Sequence, residues 1–114
     1  MKKLVLTVAL LTMATTACAM EPMEFEWECN TDNPAGYKIH WSSTMGGPYS
    51  DVLDVGLPTP DADNKCYYTL AAPPARLNYY VATAYDVDGF NSDYSNEVDA
   101  RSKHVAPGQL KRVN

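Results

Sequence analysis

Met23-Glu24-Phe25-Glu26-Trp27-Glu28-Cys29 alternates without a fault, with Met, Phe, Trp and Cys on one side and three glutamates on the other. A period of two over seven residues is a β-strand with one wet face. The period returns in Gly36 to Ser42, where Tyr37, Ile39 and Trp41 share a face opposite Lys38 and His40. Tyr49 to Val55 is a weaker strand, Cys66 to Leu70 is a strand by its β-rich residues, and the alternating run returns in Leu77 to Tyr85 and again in Tyr94 to Ala100. Between these runs lie clusters of Asn, Asp, Gly and Pro, the residues that cap their own backbone or preset φ in turns. About six short strands at even spacing, with no helix-period segment after the first 19 residues, predict an antiparallel β-sandwich.

Those first residues read as an export leader. Met1-Lys2-Lys3 is positive, and Leu4 to Met13 (LVLTVALLTM) is apolar but too short to span a bilayer. Ala17-Cys18-Ala19 presents small residues for cleavage before Met20, and Thr16, Ala17 and Cys18 also suit lipoprotein processing. The domain expectation is a leader over 1–19, one folded domain over 20–100 and a tail over 101–114. Localisation is then secreted, periplasmic or cell-surface, with a membrane contact only where Cys18 carries lipid. Either route leaves Cys29 and Cys66, and in an oxidising compartment two cysteines pair by default.

Charge is uneven. All fourteen acids lie between Glu21 and Asp99, against Lys38, Lys65 and Arg76, whereas the last fifteen residues hold Arg101, Lys103, Lys111 and Arg112 and no acid. An acidic body argues against a nucleic-acid partner. A basic tail on it suits docking on protein, although a solvated terminus has the same composition.

The blocks GYKIHW, YSDVLDVG and YYVATAYDVDGFNSDYSNEV resemble fibronectin type III domains of bacterial and phage type. Those typically run G-Y-K-I/V-Y, D-V-G and Y-x-V-T-A-Y-D-x-x-G-x-x-S-x-Y-S-N-E-V. The resemblance covers about Phe25 to Ala100 and implies an immunoglobulin-like sandwich. Phe25 and Trp27 would be core on strand B, and Tyr37 and Ile39 on C. Tyr80, Ala82, Ala84, Tyr94 and Val98 would be core on F and G. Strands B and E are neighbours in that fold, which implies that Cys29 and Cys66 fall opposite each other. Two departures stand out. The tyrosine that ties the start of F to the preceding corner is replaced by Asn78, with Tyr79 beside it. Strand A is absent in front of Phe25, while Ala106-Pro107-Gly108-Gln109-Leu110-Lys111-Arg112-Val113 resembles the opening of such a strand at the other end of the chain.

An uncovered edge of strand B would present unpaired N–H and C=O groups, an invitation to strand addition. Leu110, Lys111, Arg112 and Val113 are the candidate donors; the tail could fold back, be donated to another copy, or fray. Asp86, Asp88, Phe90 and Asn91 on the F–G loop are candidate binding residues. Turn chemistry accounts for their acids without a metal, since no EF-hand spacing is present. Tyr67, Tyr79 and Tyr85 are the tyrosines placed to face outward, where carbohydrate is a possible partner. His40 and His104 sit apart and no nucleophile–base pair assembles, so neither catalysis nor a cofactor is expected. The expected function is a structural or binding module, either assembling through its tail or acting as a monomeric adhesion or carbohydrate-binding unit.

Overall fold

The computed structural model describes residues 4–10, 20–102 and 112–113. Met1–Lys3, expected as an n-region, Cys18, expected beside a cleavage site, and His104, Leu110 and Lys111 lie outside the described residues. Among the described residues seven strands form: β1 (Leu6–Leu10), β2 (Met23–Glu28), β3 (Gly36–Ser42), β4 (Asp51–Gly56), β5 (Lys65–Leu70), β6 (Asn78–Tyr85) and β7 (Val98–Ala100). They make two antiparallel sheets, one of order β1-β2-β5 and one of order β4-β3-β6-β7. The described residues are therefore all-β, with two sheets layered as a sandwich.

Alternation does the work the sequence implied. On β2, Met23, Phe25 and Trp27 are buried while the glutamates between them reach the surface. On β3, Tyr37 and Ile39 are buried, and on the central strand β6 Tyr80, Ala82 and Ala84 are buried on the inner face while Val81 and Thr83 are covered on the other. The two inner faces meet through tilted aromatic pairs: Phe25 with Tyr80 at 5.0 Å and Trp27 with Tyr37 at 5.2 Å. Small Ala82 and Ala84 leave room for these rings between the layers.

Four expectations are corrected. First, the front of the first sheet is filled: in the full chain Leu6–Leu10 pairs antiparallel with β2, from Leu6 opposite Trp27 to Leu10 opposite Met23. An apolar run rich in Leu and Val suits a buried strand as well as a leader, and β2's open edge selects it. Second, Tyr94 is 47% exposed; it leaves the core and packs edge-on against His40 and Tyr49 on the outer face of the second sheet. Val98 is only half-buried, though it packs against the core. Third, Cys29 and Cys66 are disulfide-bonded but diagonal. Cys66 stands opposite Trp27, while the Cys29 N–H donates to the Asn64 carbonyl at 3.0 Å. The two cysteines share a face, so a two-residue offset still brings their Cα atoms within 5.5 Å. Asn64, at φ 60°, makes the turn and donates its side-chain amide to the Cys29 carbonyl.

The fourth concerns the last strand, which begins at Val98 rather than Tyr94. Along residues 92–95 serine hydroxyls replace backbone carbonyls in the ladder. The Ser92 and Ser95 N–H groups donate to the carbonyls of Ala84 and Ala82, whose own N–H groups donate to the Ser92 and Ser95 hydroxyls at 2.9 and 2.8 Å. At the corner before β6, Asn78 is buried and its amide donates to the Arg76 carbonyl at 3.0 Å. A local tie thus stands where the resemblance implies a tyrosine, and Tyr79 is half-buried beside it.

Candidate functional site

The feature that stands out is the outer edge of β2 and the strand lying on it. Leu4 and Leu6 turn inward and are buried, Val8 packs against the core from its rim, and Val5 and Thr7 face out. Two fully buried leucines contribute on the order of 1.5–3 kcal/mol each. The Thr7 hydroxyl donates to the Glu26 carbonyl at 3.1 Å. The slot accepts apolar side chains at alternate positions and presents Glu24 and Glu26 between them.

Asn96 holds the strand from the other side. The Leu6 N–H donates to Asn96 Oδ1 at 2.6 Å, and Asn96 Nδ2 donates to the Leu6 carbonyl at 2.9 Å. One side-chain amide thereby satisfies both backbone groups of one residue, as a neighbouring strand would. These contacts involve only main-chain atoms of the occupant and are blind to its side chain. The clamp is aimed from behind: the Ser95 hydroxyl, already accepting from Ala82, donates to the Asn96 carbonyl at 2.9 Å. Glu97, next in line, accepts from the Gly46 N–H at 2.8 Å and from the Tyr49 hydroxyl. Burial, then the Glu97 carboxylate, pushes the Tyr49 phenol up to about 12. The triplet Ser95-Asn96-Glu97 thus fastens three elements at once. Sequence reasoning placed these residues in a strand and missed the clamp; only the sheet order shows what Asn96 faces.

The loop between β6 and β7 is hydrogen-bonded at its base. Asp86 Oδ1 accepts the N–H groups of Asp88 and Phe90, both at 3.0 Å, and the Asp86 N–H donates to the Phe90 carbonyl. Gly89 completes the turn at φ 85°. Asp86 therefore works on the loop's own backbone, while Asp88 and Asn91 are exposed. Val87 and Phe90 stand out at the tip, 87% and 72% exposed. The outward tyrosines are less free. The Tyr67 hydroxyl donates to Asp61 at 3.0 Å, and the Tyr85 hydroxyl donates to Asp54, with the Lys38 ammonium over its ring. His40 Nε2 lies 2.9 Å from the Thr83 hydroxyl, and burial followed by the nearby Lys38 charge holds the imidazole pKa below its usual value.

A cleft of about 420 Å³ lies beside the disulfide, between Asn30, Pro34 and Tyr37 on one wall and Leu57 and Pro58 on the other. The Tyr37 hydroxyl accepts the Asn30 N–H at 2.8 Å. Of the tail, Arg112 and Val113 are described and exposed, Val113 at 92%. Among the described residues no helix is long and apolar enough to cross a membrane. No protein-family model, curated protein or solved structure matches the chain.

Proposed function

We propose that the chain is an exported, non-catalytic module of the fibronectin type III kind that binds protein by taking a strand onto the outer edge of β2. The pairing of β2 with β5 and of β3 with β6, in sheets of three and four strands, supports that family reading. The observation that carries the binding reading is the slot itself, filled by Leu6–Leu10 and gripped through main-chain atoms by Asn96. Main-chain pairing supplies affinity and alternate side-chain sites supply selectivity, the usual division in strand addition. The Cys29–Cys66 bridge supports a location outside the cytosol, in the periplasm or at a cell surface. Against catalysis, the Thr83 hydroxyl beside His40 is buried and out of a substrate's reach.

The test uses protein recovered after export from a bacterial host, its new N-terminus identified by mass. A labelled synthetic peptide of residues 4–10 should bind it, and Asn96→Ala should weaken that binding. Absence of binding by folded, processed and monomeric protein refutes the strand-acceptor reading.

The exposed Val87 and Phe90, on a backbone fixed by Asp86, favour a second reading: a monomeric adhesion module contacting a protein or polysaccharide surface through that loop. Retention on polysaccharide or host surfaces that is lost in a Val87→Ser/Phe90→Ala variant, with N96A retained as wild type, would establish it in place of the first.

A further inference from the structure

We propose that Leu4–Leu10 is a placeholder, and that the working occupant of the slot is the C-terminal segment of a second copy, entering antiparallel to β2 with Leu110 in the Leu6 position. The inference rests on the strand-acceptor reading and adds the occupant, its register and its source. Three observations lead to it.

The first is register. With Leu110 opposite Trp27, Gly108 falls on the Leu4 position and Arg112 on the Val8 position, at the half-buried rim. An arginine stem covers apolar surface there while its head reaches water. Lys111 then takes the place of Thr7, directly across from Glu26. Opposite charges facing each other across a strand pair are favourable. The tail brings no acid to a strand that already carries Glu24, Glu26 and Glu28. Asn96 would grip the main chain of Leu110 as it grips Leu6.

The second is polarity and reach. Asn96 marks the Leu6 level, and the chain runs from it through β7 towards the far end of the slot. There the buried Ser102 donates to the Pro74 carbonyl at 2.6 Å, four residues beyond Leu70, which pairs with Met23 opposite Leu10. A copy's own tail therefore starts at the wrong end. To enter with β1's polarity it must first run back from Ser102 past the Leu10 level to the Leu4 level, about 20 Å at a strand rise of about 3.3 Å per residue, and then reverse again into the slot. The six residues from Ser102 to Gly108 span at most about 20–22 Å when fully extended, which leaves no length for the reversals at the two ends. A second copy carries no such limit.

The third is that Arg112 and Val113 are exposed on the molecule that carries them, with its own slot already filled.

A donor on one copy and an acceptor on the next make a heterologous contact that need not close, so assembly is open-ended. Removal of the leader is the step that starts it.

A protease site inserted between residues 11 and 19 lets the full chain fold before it is cut. Cutting at rising protein concentration should yield dimers and longer species by light scattering. Leu110→Asp should keep the cut chain monomeric, and Asn96→Ala should raise the half-assembly concentration about thirty-fold. A cut chain that stays monomeric, or oligomers indifferent to L110D, overturns the inference. So does a monomer destabilised by L110D, because the tail would then lie on its own domain. Added peptide of residues 4–10 separates this from the parent reading: N96A-sensitive rebinding preserves the acceptor even where tail assembly fails, and a folded cut chain that binds neither removes both. Should the cut chain unfold, a full chain with residues 108–114 grafted in place of 4–10 decides. A folded graft supports the tail as occupant, and an unfolded one overturns it.

Discussion

Asn96→Ala isolates the clamp. In the folded full chain it deletes two hydrogen bonds, from the Leu6 N–H to Oδ1 and from Nδ2 to the Leu6 carbonyl. A neutral hydrogen bond contributes about 0.5–1.5 kcal/mol net, and an orphaned buried partner costs about 1–3 kcal/mol. Leu6 is fully buried, so its two main-chain groups have no easy route to solvent. A water entering the space left by the amide would recover part of the loss. The expected cost is thus about 2 kcal/mol, and for a domain of this size about 4–8 °C of melting temperature goes with each kcal/mol. Urea titration should show the midpoint falling with little change in slope, since the surface exposed on unfolding is almost the same. Asn96→Asp separates geometry from chemistry. It keeps an acceptor for the Leu6 N–H but sets a carboxylate against the Leu6 carbonyl, and should cost at least as much as alanine at neutral pH. Amide exchange at Leu6 should accelerate in both variants ahead of that in β3 and β6. An N96A chain within about 0.5 kcal/mol of wild type, with Leu6 still protected, would show that the clamp does not hold the strand.

Three further outcomes follow from the same structure. Reducing Cys29–Cys66 opens a loop of sequence separation 37, worth about 4 kcal/mol in the chain-entropy treatment, so thermal melting in reductant should fall by about 15 °C or more. The Tyr80 hydroxyl is buried without a partner among the described residues, and burial pushes its pKa up to about 12. A phenol whose folded pKa lies above its unfolded value near 10 stabilises the fold below pH 10 and loses that contribution as pH rises towards 12. Urea midpoints should therefore drop across pH 10–12, and Tyr80→Phe should flatten the drop while leaving neutral-pH stability unchanged or slightly higher. Ser95→Ala removes the acceptor for the buried Ala82 N–H and the hydroxyl behind Asn96, at a cost of about 1–3 kcal/mol. In a double-mutant cycle with N96A the two losses should add to less than their sum, because the serine aims the clamp.

The sandwich was legible because period-two alternation is a property of single residues. Phe25, Trp27, Tyr37 and Ile39 can be assigned to the interior by parity alone, whereas on β6 Val81 and Thr83 are buried along with Tyr80, Ala82 and Ala84, so parity does not single out the inner face there. Parity fails where the chain leaves the regular ladder. Tyr94 shares the aromatic character of the core, but Ser92 and Ser95 replace carbonyls with hydroxyls, and that irregular stretch sends the ring over His40. The disulfide's partners were readable, but its diagonal offset was not, because it depends on Asn64 adopting a left-handed turn. Asn96 carries no signal of its own, since an asparagine before a strand is common and its role appears only when a second strand lies against it.

The ambiguity of LVLTVAL is of a different kind. A leader and a buried edge strand make the same demand on a short segment: aliphatic side chains, few charges and enough β-branching to stay extended. Composition cannot separate these uses, and this chain has a place for both. Glutamates alternate along β2, so the strand needs a neighbour that covers its open main-chain edge and brings no further negative charge. Leu4–Leu10 meets that demand by being uncharged, and Gly108–Arg112 would meet it by being basic. The apolar segment is the better filler for the Leu4 and Leu6 sites, whereas the basic one is the better partner for Glu26. A placeholder that binds mainly through buried leucines and a successor that binds partly through charge differ in a measurable way. Rising ionic strength should weaken tail-mediated assembly, since exposed pairs are screened within about 10 Å at 0.1 M salt. It should leave peptide 4–10 binding unchanged. Equal salt sensitivity of the two would contradict the assigned register, because Lys111 would not then be facing Glu26.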